Sequence, residues 1–512
     1  MQKRFGLMFL ILFSASVSFG ASEKWVEISD EDYLDHIRAC WVAKCAGGAM
    51  GMPVECWDYK KIEARYPKVD GYIGYFQPLW EGWSGFLGSV KVPADGKFHD
   101  LVTTVTMPNY PVDKFKAIPI VGLSLEMTTS PAEFQIEAMD VSGPSIPLGW
   151  PLKWRQDVGC LLEPNNKIFG LSFDGLRAWV KGRSDIYKLG DFVPGKEYVF
   201  TIRAKRTSGT EERLGVAFDY CGSKTAIGFG PDDDTSYQVS SLLAMEKYGP
   251  GVTSDQMAEL WAATLPEISP LLAEGVGLAN IRKGIKPPEC GKKDNHSAEA
   301  IGGQMRGEIW GMLCPGRPDL AAEYSRRDAV LTHWRNGVYG EQFVAAMIAE
   351  SFRTKDVEKL IDTGLQYIPA DCEYASVVNY IKEQWKAKRP WKEVRNELIA
   401  KYPGTCNPVY AECGIITLAL LYGEGNWDKT LHIAFYCGSD TDCNCATVCG
   451  VLGAINGQKF IAPKWSEPIG DVLRCFVKGH EEWSITELCK RIETQYKLIK
   501  AYHGDGNRFA EK

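Results

Sequence analysis

The chain has 512 residues, a formal net charge of −7, 45% hydrophobic residues and 24% charged residues. This composition is that of an ordinary globular protein and excludes a disordered or fibrous one. The sequence has no basic excess and no basic stripe, so we expect no nucleic-acid partner.

The first twenty residues form a segment of their own. Lys3 and Arg4 precede an apolar run that ends at Phe19, and the small residues Ser18 and Gly20 lie where a signal peptidase cuts. A membrane anchor is the alternative, but the run is shorter than the ~20 apolar residues that span a bilayer. We therefore predict a signal peptide at residues 1–20, a periplasmic or secreted protein, and no membrane association after cleavage.

Residues 27–64 have the pattern of a helix that runs into glycines. Ser29 or Asp30 can cap its first turn. One apolar face follows at a spacing of three or four residues, formed by Leu34, Ile37, Trp41 and Cys45. The glycine-rich run at residues 47–51 lets another backbone approach closely.

Between residues 75 and 220 the helical period gives way to alternating apolar and polar residues. The predicted strands are residues 97–106, 122–128, 133–141 and 196–204. Turn residues separate them at 93–96, 165–166 and 194–195. This pattern predicts a β-sandwich, or jelly roll, at residues 75–220.

The helical pattern returns after residue 236. Apolar stripes at helical spacing mark residues 240–248, 254–264, 321–328, 342–352, 375–386 and 410–421. The sequence thus predicts an all-α main domain in two parts, residues 21–74 and 221–512, with the β-sandwich inserted between them. It leaves the oligomeric state open.

The chain contains 16 cysteines. In an exported protein this number favours disulfides, but several of these cysteines lie among Ala and Gly in helix-like segments, where small buried thiols pack well. The sequence has no cysteine or histidine array with zinc spacing. We expect mostly buried, reduced thiols with one or two disulfides.

Two acidic clusters carry the clearest chemical signal. Asp232-Asp233-Asp234-Thr235 lies where the strand-like region meets the next helix, and Asp440-Thr441-Asp442 opens a helix of small residues. Carboxylates this close repel one another unless a cation lies between them, and hard divalent ions take oxygen ligands from Asp and Thr. Capping explains one such cluster equally well. Two clusters, each at a helix start, favour a shared metal site.

On these residues the chain resembles the ADP-ribosylglycohydrolase family. That family has an Asp-Asp-Thr motif early and a Gly-x-Asp-Thr-Asp motif late, matched here by "GPDDDTSYQV" and "GSDTDCNCATVCGVLGAINGQ". The segment "RACWVAKCAGGAMGMPVE" is similar to the family's first helix and glycine turn. The resemblance covers residues 27–65 and 226–470. It implies an all-α ADP-ribosylglycohydrolase-like domain, here with a jelly-roll-like insert.

The resemblance also implies a magnesium centre of one or two Mg²⁺ ions, although other divalent ions are possible. Its ligands would be Asp232, Asp233, Asp234, Asp440 and Asp442, with Asp442 as the bridging ligand. Glu55, Asp233 and Asp442 would be catalytic, because two ions about 3.5–4 Å apart hold sugar hydroxyls and a water while a carboxylate such as Glu55 moves a proton. For Glu55, an exposed or helix-capping glutamate is the alternative.

Three positions depart from the family's pattern. Asp232 occupies a position where Thr or Ser is common, and Gly48 replaces an aspartate of the first glycine turn. Cys443 replaces a Thr ligand that follows the late motif. Because a thiol is a poor magnesium ligand, the second ion is expected to be weaker, of another kind, or absent.

The resemblance further implies substrate contacts at Gly302, Gly303, Arg306 and His333. The loop at residues 300–306 aligns with the family's diphosphate-binding loop but has fewer small polar residues, which argues against a diphosphate nest. His333 aligns with a histidine region beside the substrate cleft. An ion-pair role for Arg306 and a structural role for His333 are the alternatives.

The insert and its flanks are rich in tryptophan, which favours a platform for sugar rings, with core packing as the alternative: Trp80, Trp83, Trp150, Trp154 and Trp179. The sequence is therefore consistent with three functions. The principal one is an exported, divalent-metal-dependent N- or O-glycoside hydrolase that acts on a small-molecule, glycan or nucleoside-like sugar. The others are a non-catalytic carbohydrate-binding protein and a true ADP-ribosyl hydrolase.

Overall fold

The computed structural model describes residues 24–73, 228–265, 272–403 and 408–505, together with the strands and a few linking residues between 76 and 221. The predicted signal peptide and the side chains of the five tryptophans of the insert lie outside the described part. Within that part, no helix combines the length and apolar character needed to cross a membrane.

The chain enters the fold through a long helix, α1 (Asp30–Gly51). Ser29 caps it as predicted, because its hydroxyl accepts a hydrogen bond from the backbone N–H of Asp32. Every residue from Ala39 to Gly51 is buried. The prediction of a single apolar face was therefore too narrow, because this half of α1 is enclosed on all sides by other elements.

A 3₁₀ turn (Met52–Val54), strand β1 (Trp57–Asp58) and helix α2 (Tyr59–Arg65) follow α1. After the insert, the described helices are α3 (Asp233–Tyr248), α4 (Ser254–Thr264), α5 (Leu272–Arg282), α6 (Glu289–Lys292), α7 (Glu308–Leu313), α8 (Pro318–Ala329), α9 (Asn336–Ser351), α10 (Val357–Gln366), α11 (Glu373–Lys386), α12 (Trp391–Lys401), α13 (Val409–Gly423), α14 (Trp427–Phe435), α15 (Thr441–Asn456), α16 (Pro463–Ser466) and α17 (Ile485–His503). Further 3₁₀ turns lie at Ile301–Arg306 and Gln458–Phe460.

The six predicted helices of this part are confirmed, and α4 has the predicted bounds. The largest differences are at two helix starts: α3 begins at Asp233 rather than at residue 240, and α9 begins at Asn336 rather than at residue 342. Gly337 and Gly340 weaken the helical signal at the start of α9, yet Gly337 is required, since a Cβ on it would lie 2.5 Å from the carbonyl oxygen of Ala298. Close packing therefore determines where α9 begins, although the local helix propensity is low.

Helix α1 contacts α15 through backbone atoms. A Cβ on Gly47 would overlap the carbonyl oxygen of Cys445, and one on Gly51 would overlap that of Thr441. The predicted close approach at the glycine run is thus confirmed. It brings the end of α1 against the start of α15, where the second acidic cluster lies.

Two short antiparallel ladders interrupt the helical domain. β1 pairs with β14 (Gly438–Ser439), so that Trp57 lies opposite Ser439. The second ladder joins β15 (Val472–Arg474) to β16 (Glu482–Ser484). The sequence did not predict these ladders, because strands of two or three residues are too short to show a period-two pattern.

The region between 76 and 221 is built from strands. Those described are β2 (Phe76–Pro78), β3 (Phe86–Lys91), β4 (His99–Thr106), β5 (Ile120–Leu125), β6 (Ala132–Gly143), β7 (Ile146–Pro151), β8 (Trp154–Arg155), β9 (Leu161–Leu162), β10 (Phe169–Phe173), β11 (Ala178–Gly182), β12 (Glu197–Gly209) and β13 (Arg213–Cys221). The four predicted strands overlap β4, β5, β6 and β12, and residues 126–128 of the second predicted strand lie outside the described part.

The strands form two antiparallel six-stranded sheets. One has the order β4-β12-β6-β10-β9 with β7 on β6, and the other has the order β2-β13-β5-β11-β8 with β3 on β13. On β4, Leu101 and Val105 are buried while Val102 and Thr104 are not. This alternation gives the β4–β12 pair one buried face. The stacking of the two sheets, and the domain boundaries at residues 74 and 220, stay predictions.

Most cysteines of the described part are reduced. Twelve are free thiols, and all of these are buried except the half-buried Cys372. Cys56 is disulfide-bonded. The predicted combination of buried thiols with a bridge agrees with these residues.

Candidate metal centre

The first acidic cluster opens α3. Asp232 is the N-cap, and its Oδ1 accepts a hydrogen bond of 2.9 Å from the backbone N–H of Asp234. Oδ1 of Asp233 accepts from the same N–H at 3.0 Å. The first cluster therefore caps α3. Capping does not exclude a metal site, because one ligand atom from each of the three side chains lies within 4.8 Å of the others.

The second cluster follows a tight turn. Gly438 and Ser439 both have positive φ, +72° and +65°, and Ser439 pays a conformational cost for this. The turn is tied to the end of α1, because Cys56 N–H donates to the carbonyl of Ser439 at 2.9 Å and the Thr441 hydroxyl donates to that of Val54 at 3.1 Å. Glu55 lies between these two anchor points.

The two clusters influence each other electrostatically. Burial raises the pKa of Asp442 well above its ordinary value, and the charges of Glu55 and Asp234 raise it further. Burial, followed by Asp442, Glu412 and Glu55, does the same to the pKa of Asp440. The pKa of Asp232 is raised by burial and then by Asp234, Asp233 and Asp442. A cation bound among these carboxylates would offset their mutual repulsion.

Several carboxylate oxygens in the centre have no hydrogen-bond donor. These are Oδ2 of Asp234 and Oδ1 of both Asp440 and Asp442, and all three atoms are buried. Buried acceptors are almost always satisfied in folded proteins, so three neighbouring exceptions call for an explanation. A bound divalent cation supplies one, because carboxylate oxygens are its preferred ligands.

Within the described residues, the ligand atoms form two groups. One contains Asp232, Asp233 and Asp234, and the other contains Asp234, Asp442 and Cys443. Asp234 is common to both groups, whereas the sequence suggested Asp442 as the bridging ligand. Asp440 belongs to neither group and adjoins them through its charge coupling to Asp442.

Lys44 is a buried cation that the sequence analysis missed. Its Nζ donates to Asp234 Oδ1 at 2.9 Å, to Glu308 Oε1 at 3.0 Å and to the carbonyl of Met305 at 2.7 Å. Burial lowers the pKa of Lys44, but Asp234 and Glu308 raise it above its ordinary value, so it is charged. The signal was a single lysine among small apolar residues on α1, a position that requires a buried carboxylate partner.

Glu412 was missed as well. Its carboxylate accepts from the Ser439 hydroxyl at 2.6 Å and from Asn444 Nδ2 at 2.5 Å, one on each side of the late motif. Burial raises the pKa of Glu412 to about 7, against the opposing effect of these hydrogen bonds. It lies on α13, in an apolar stretch where its partners cannot be identified from local sequence. Glu412 fixes the shape of the turn that presents Asp440.

Comparison with known proteins identifies the family of this chain. A family model described as ADP-ribosylglycohydrolase matches residues 192–498. The chain belongs to the ADP-ribosylglycohydrolase family. The match spans both acidic clusters, and membership implies a hydrolase of glycosidic bonds.

No curated protein matches this chain. Among solved structures, one titled "ADP-ribosylglycohydrolase-related protein complex" is similar at 17% identity and a TM-score of 0.39. The match covers 54% of this chain and 88% of that chain.

Of the predicted substrate residues, Arg306 lies in a second buried group, which we call the Arg306 cluster: Arg306, Glu274, Asp328 and Glu341. The Arg306 guanidinium is 0% exposed and lies 3.4 Å from Glu274, 3.8 Å from Asp328 and 3.1 Å from Glu341. These contacts correspond to the ion-pair alternative. A role of Arg306 in substrate binding stays a prediction.

His333 and the two loop glycines adjoin the same cluster. His333 is fully buried, and Thr332 Oγ1 lies 2.8 Å from its Nδ1. Burial and then Arg306 lower the pKa of His333 well below its ordinary value, so the ring is neutral. A Cβ on Gly302 would overlap the Glu274 carboxylate, and one on Gly303 would overlap the carbonyl of Gly337. Internal packing therefore already requires both glycines.

Proposed function

We propose that this chain is a divalent-metal-dependent hydrolase of an N- or O-glycosidic bond. The observation that carries the proposal is the set of three buried, donor-free carboxylate oxygens of Asp234, Asp440 and Asp442. Family membership supports the reaction class, and the oxygen-rich cluster supports the metal.

Asp232, Asp233, Asp234, Asp440 and Asp442 would hold the ion or ions. Mg²⁺ is the first candidate because the donors of the first group are all oxygens. When bound, such an ion supplies a Lewis acid and a water of lowered pKa. Burial of the carboxylates keeps bulk water from screening the charges that act there.

The chain's own groups supply orientation and proton transfer. Glu55 is half-buried and close enough to raise the pKa of Asp440 and of Asp442, so its carboxyl lies at the edge of the centre. We assign to it the general acid or base role at the anomeric position. Glu412 and Lys44 position Asp440 and Asp234 respectively, and neither needs to contact the substrate.

The substrate we propose is a glycoside or nucleoside-like sugar rather than a diphosphate. Gly302 packs against the Glu274 carboxylate, and an acidic group beside the loop disfavours a bound diphosphate. We further propose that the protein is exported, and that the two sheets of residues 75–220 form a sandwich with a sugar-binding role.

The test is turnover by the purified mature chain before and after chelation. The panel contains aryl glycosides, nucleosides and ADP-ribosyl-arginine, which separates glycosidase from ADP-ribosyl hydrolase activity. We expect chelator and Asp440→Ala each to reduce turnover at least ~10²-fold, as for loss of a preorganised electrostatic group, and added Mg²⁺ to restore the chelated wild type.

Asp356→Ala is the matched control. Asp356 caps α10 by accepting from the backbone N–H of Lys359 and is exposed. The variant removes an N-cap aspartate that belongs to neither ligand group, so turnover should be kept. Turnover that survives chelation contradicts the metal mechanism. Sugar binding without product release supports the non-catalytic carbohydrate-binding alternative.

A further inference from the structure

The second ligand group contains a sulfur atom. Cys443 Sγ and carboxylate oxygens of Asp234 and Asp442 all lie within 4.8 Å of one another. The three residues are 5%, 1% and 5% exposed respectively, so water has little access to them. Asp234 and Asp442 each bring one oxygen that lacks a hydrogen-bond donor.

A second sulfur atom lies next to Cys443. Met305 Sδ is 3.6 Å from Cys443 Sγ, and Met305 is itself buried. Mg²⁺ requires hard oxygen donors in octahedral geometry, whereas Zn²⁺ and Co²⁺ accept thiolate together with carboxylate in four-coordinate sites. The donor set of this group therefore does not fit Mg²⁺.

We propose that Asp234, Asp442 and Cys443 bind a thiol-accepting divalent ion such as Zn²⁺ or Co²⁺, beside the oxygen-only group of Asp232, Asp233 and Asp234. The inference rests on the proposed function, because it specifies the nature of one ion of the same centre. On binding, the S–H bond breaks, the proton leaves to solvent, and the thiolate donates an electron pair to the ion. No atom changes oxidation state.

Other cysteines of α15 provide an internal comparison. Cys445 and Cys449 are fully buried on the same helix but belong to neither ligand group among the described residues. The carbonyl of Cys445 packs against Gly47 of α1 instead. Position, rather than burial or the presence of a thiol, thus singles out Cys443.

The test is a titration of the chelator-treated mature chain with Co²⁺, without oxygen and with a non-thiol reductant. A thiolate bound to Co²⁺ gives a near-ultraviolet charge-transfer band, which reports coordination without any substrate. We expect one such band per chain in the wild type and in Cys445→Ser, and none in Cys443→Ser. Competition with Zn²⁺ should remove the band.

The variant Cys443→Thr restores the oxygen donor found at this position in the family. We expect it to weaken Zn²⁺ binding by about 10- to 100-fold or more, since loss of even an outer partner costs that much, while Mg²⁺ binding improves. Circular dichroism checks that both Cys443 variants fold. If Cys443→Ser does not fold, Cys443→Thr decides by the same band.

The outcomes separate this inference from the proposed function. A missing band in the wild type, or an equal band in Cys443→Ser or Cys443→Thr, overturns the mixed centre even if Mg²⁺ alone supports turnover. A band that depends on Cys443, in a chain that hydrolyses nothing in the panel, supports the site and contradicts the hydrolase.

Discussion

Two buried groups of carboxylates in the described part of the chain differ in how many of their members contact a cation of the protein. In the Arg306 cluster, one guanidinium contacts all three carboxylates. In the metal centre, Lys44 forms an ion pair with Asp234, but no ion pair to Asp232, Asp440 or Asp442 occurs among the described residues. Each carboxylate of the first group therefore contacts a cation of the protein, whereas Asp232, Asp440 and Asp442 contact none among the described residues.

This difference matters more than the number of acidic residues. Buried charges without partners are costly, so a protein retains them where a ligand completes them. The Arg306 cluster therefore fits a structural role, and the candidate metal centre fits a ligand-binding one. Five predictions test that distinction.

Asp442→Asn should act in opposite directions on activity and on stability. Turnover should fall at least ~10²-fold. The metal-free protein should gain on the order of 1 kcal/mol in free energy of unfolding, because the charged form of Asp442 is opposed by burial, Glu55 and Asp234. Turnover assays and urea denaturation in chelator measure the two effects.

Asp328→Asn is the matched change in the Arg306 cluster. Asp328 accepts hydrogen bonds from Ser241 at 2.8 Å and from Trp310 at 3.2 Å. This variant should lose about 1–3 kcal/mol of stability and keep its turnover per folded molecule. If both variants destabilise the metal-free protein equally, the two clusters do not differ as we describe.

Arg306→Met should destabilise the fold by about 3–5 kcal/mol, because it leaves Glu274, Asp328 and Glu341 buried without their counter-charge. Chemical denaturation measures this loss. The KM of the folded fraction should stay unchanged. A raised KM would instead support the predicted contact between Arg306 and the substrate.

The free energy of unfolding should depend on pH through the ionisation of Glu274. Burial raises the pKa of Glu274 to about 7, from an ordinary value of 4.5. A raised carboxyl pKa stabilises the fold below pH 4.5, and that contribution is lost as the pH rises through 7. The wild type should therefore lose up to roughly 3 kcal/mol more than Glu274→Gln across this window.

Urea denaturation at several pH values, with chelator and with Mg²⁺, measures this difference. Because Glu274 lies in the Arg306 cluster, Mg²⁺ should leave the difference between the wild type and Glu274→Gln unaltered. A difference that disappears with Mg²⁺ would place Glu274 in the metal centre.

Ser29→Ala should have the smallest effect. It removes the N-cap of α1 and should cost about 1 kcal/mol of stability. The loss should be the same with and without metal, because the cap lies at the other end of α1 from Glu55. Thermal unfolding under both conditions measures it. A loss present only without metal would contradict this.

The sequence was sufficient to predict part of the secondary structure and the proximity of the acidic residues. Periodicity located α1, six of the later helices and four strands, and the two Asp-Thr clusters predicted that Asp232–Asp234 and Asp440–Asp442 lie near one another. These signals are local in the chain. They arise because helix caps, apolar stripes and clustered carboxylates each occupy only a few consecutive residues.

The balancing charges could not be predicted in this way. Lys44, Glu308 and Asp234 meet from three helices, and Glu412 reaches the late motif from α13. The ion-pair partners of Arg306 likewise lie on three other helices. Which charges pair is a property of tertiary packing, and a single sequence does not contain that information in any local pattern.

The contact of Gly51 with the start of α15 makes the centre intolerant of small changes at a distance. Gly51 meets the backbone of Thr441, and Asp442 is the next residue. Glu55 follows Gly51 by only one short turn, so the same contact sets the separation between the proposed proton donor and the metal ligand. One added methyl group at Gly51 would shift both. The geometry of the proposed centre therefore depends on glycines that lie outside the proposed ligand set.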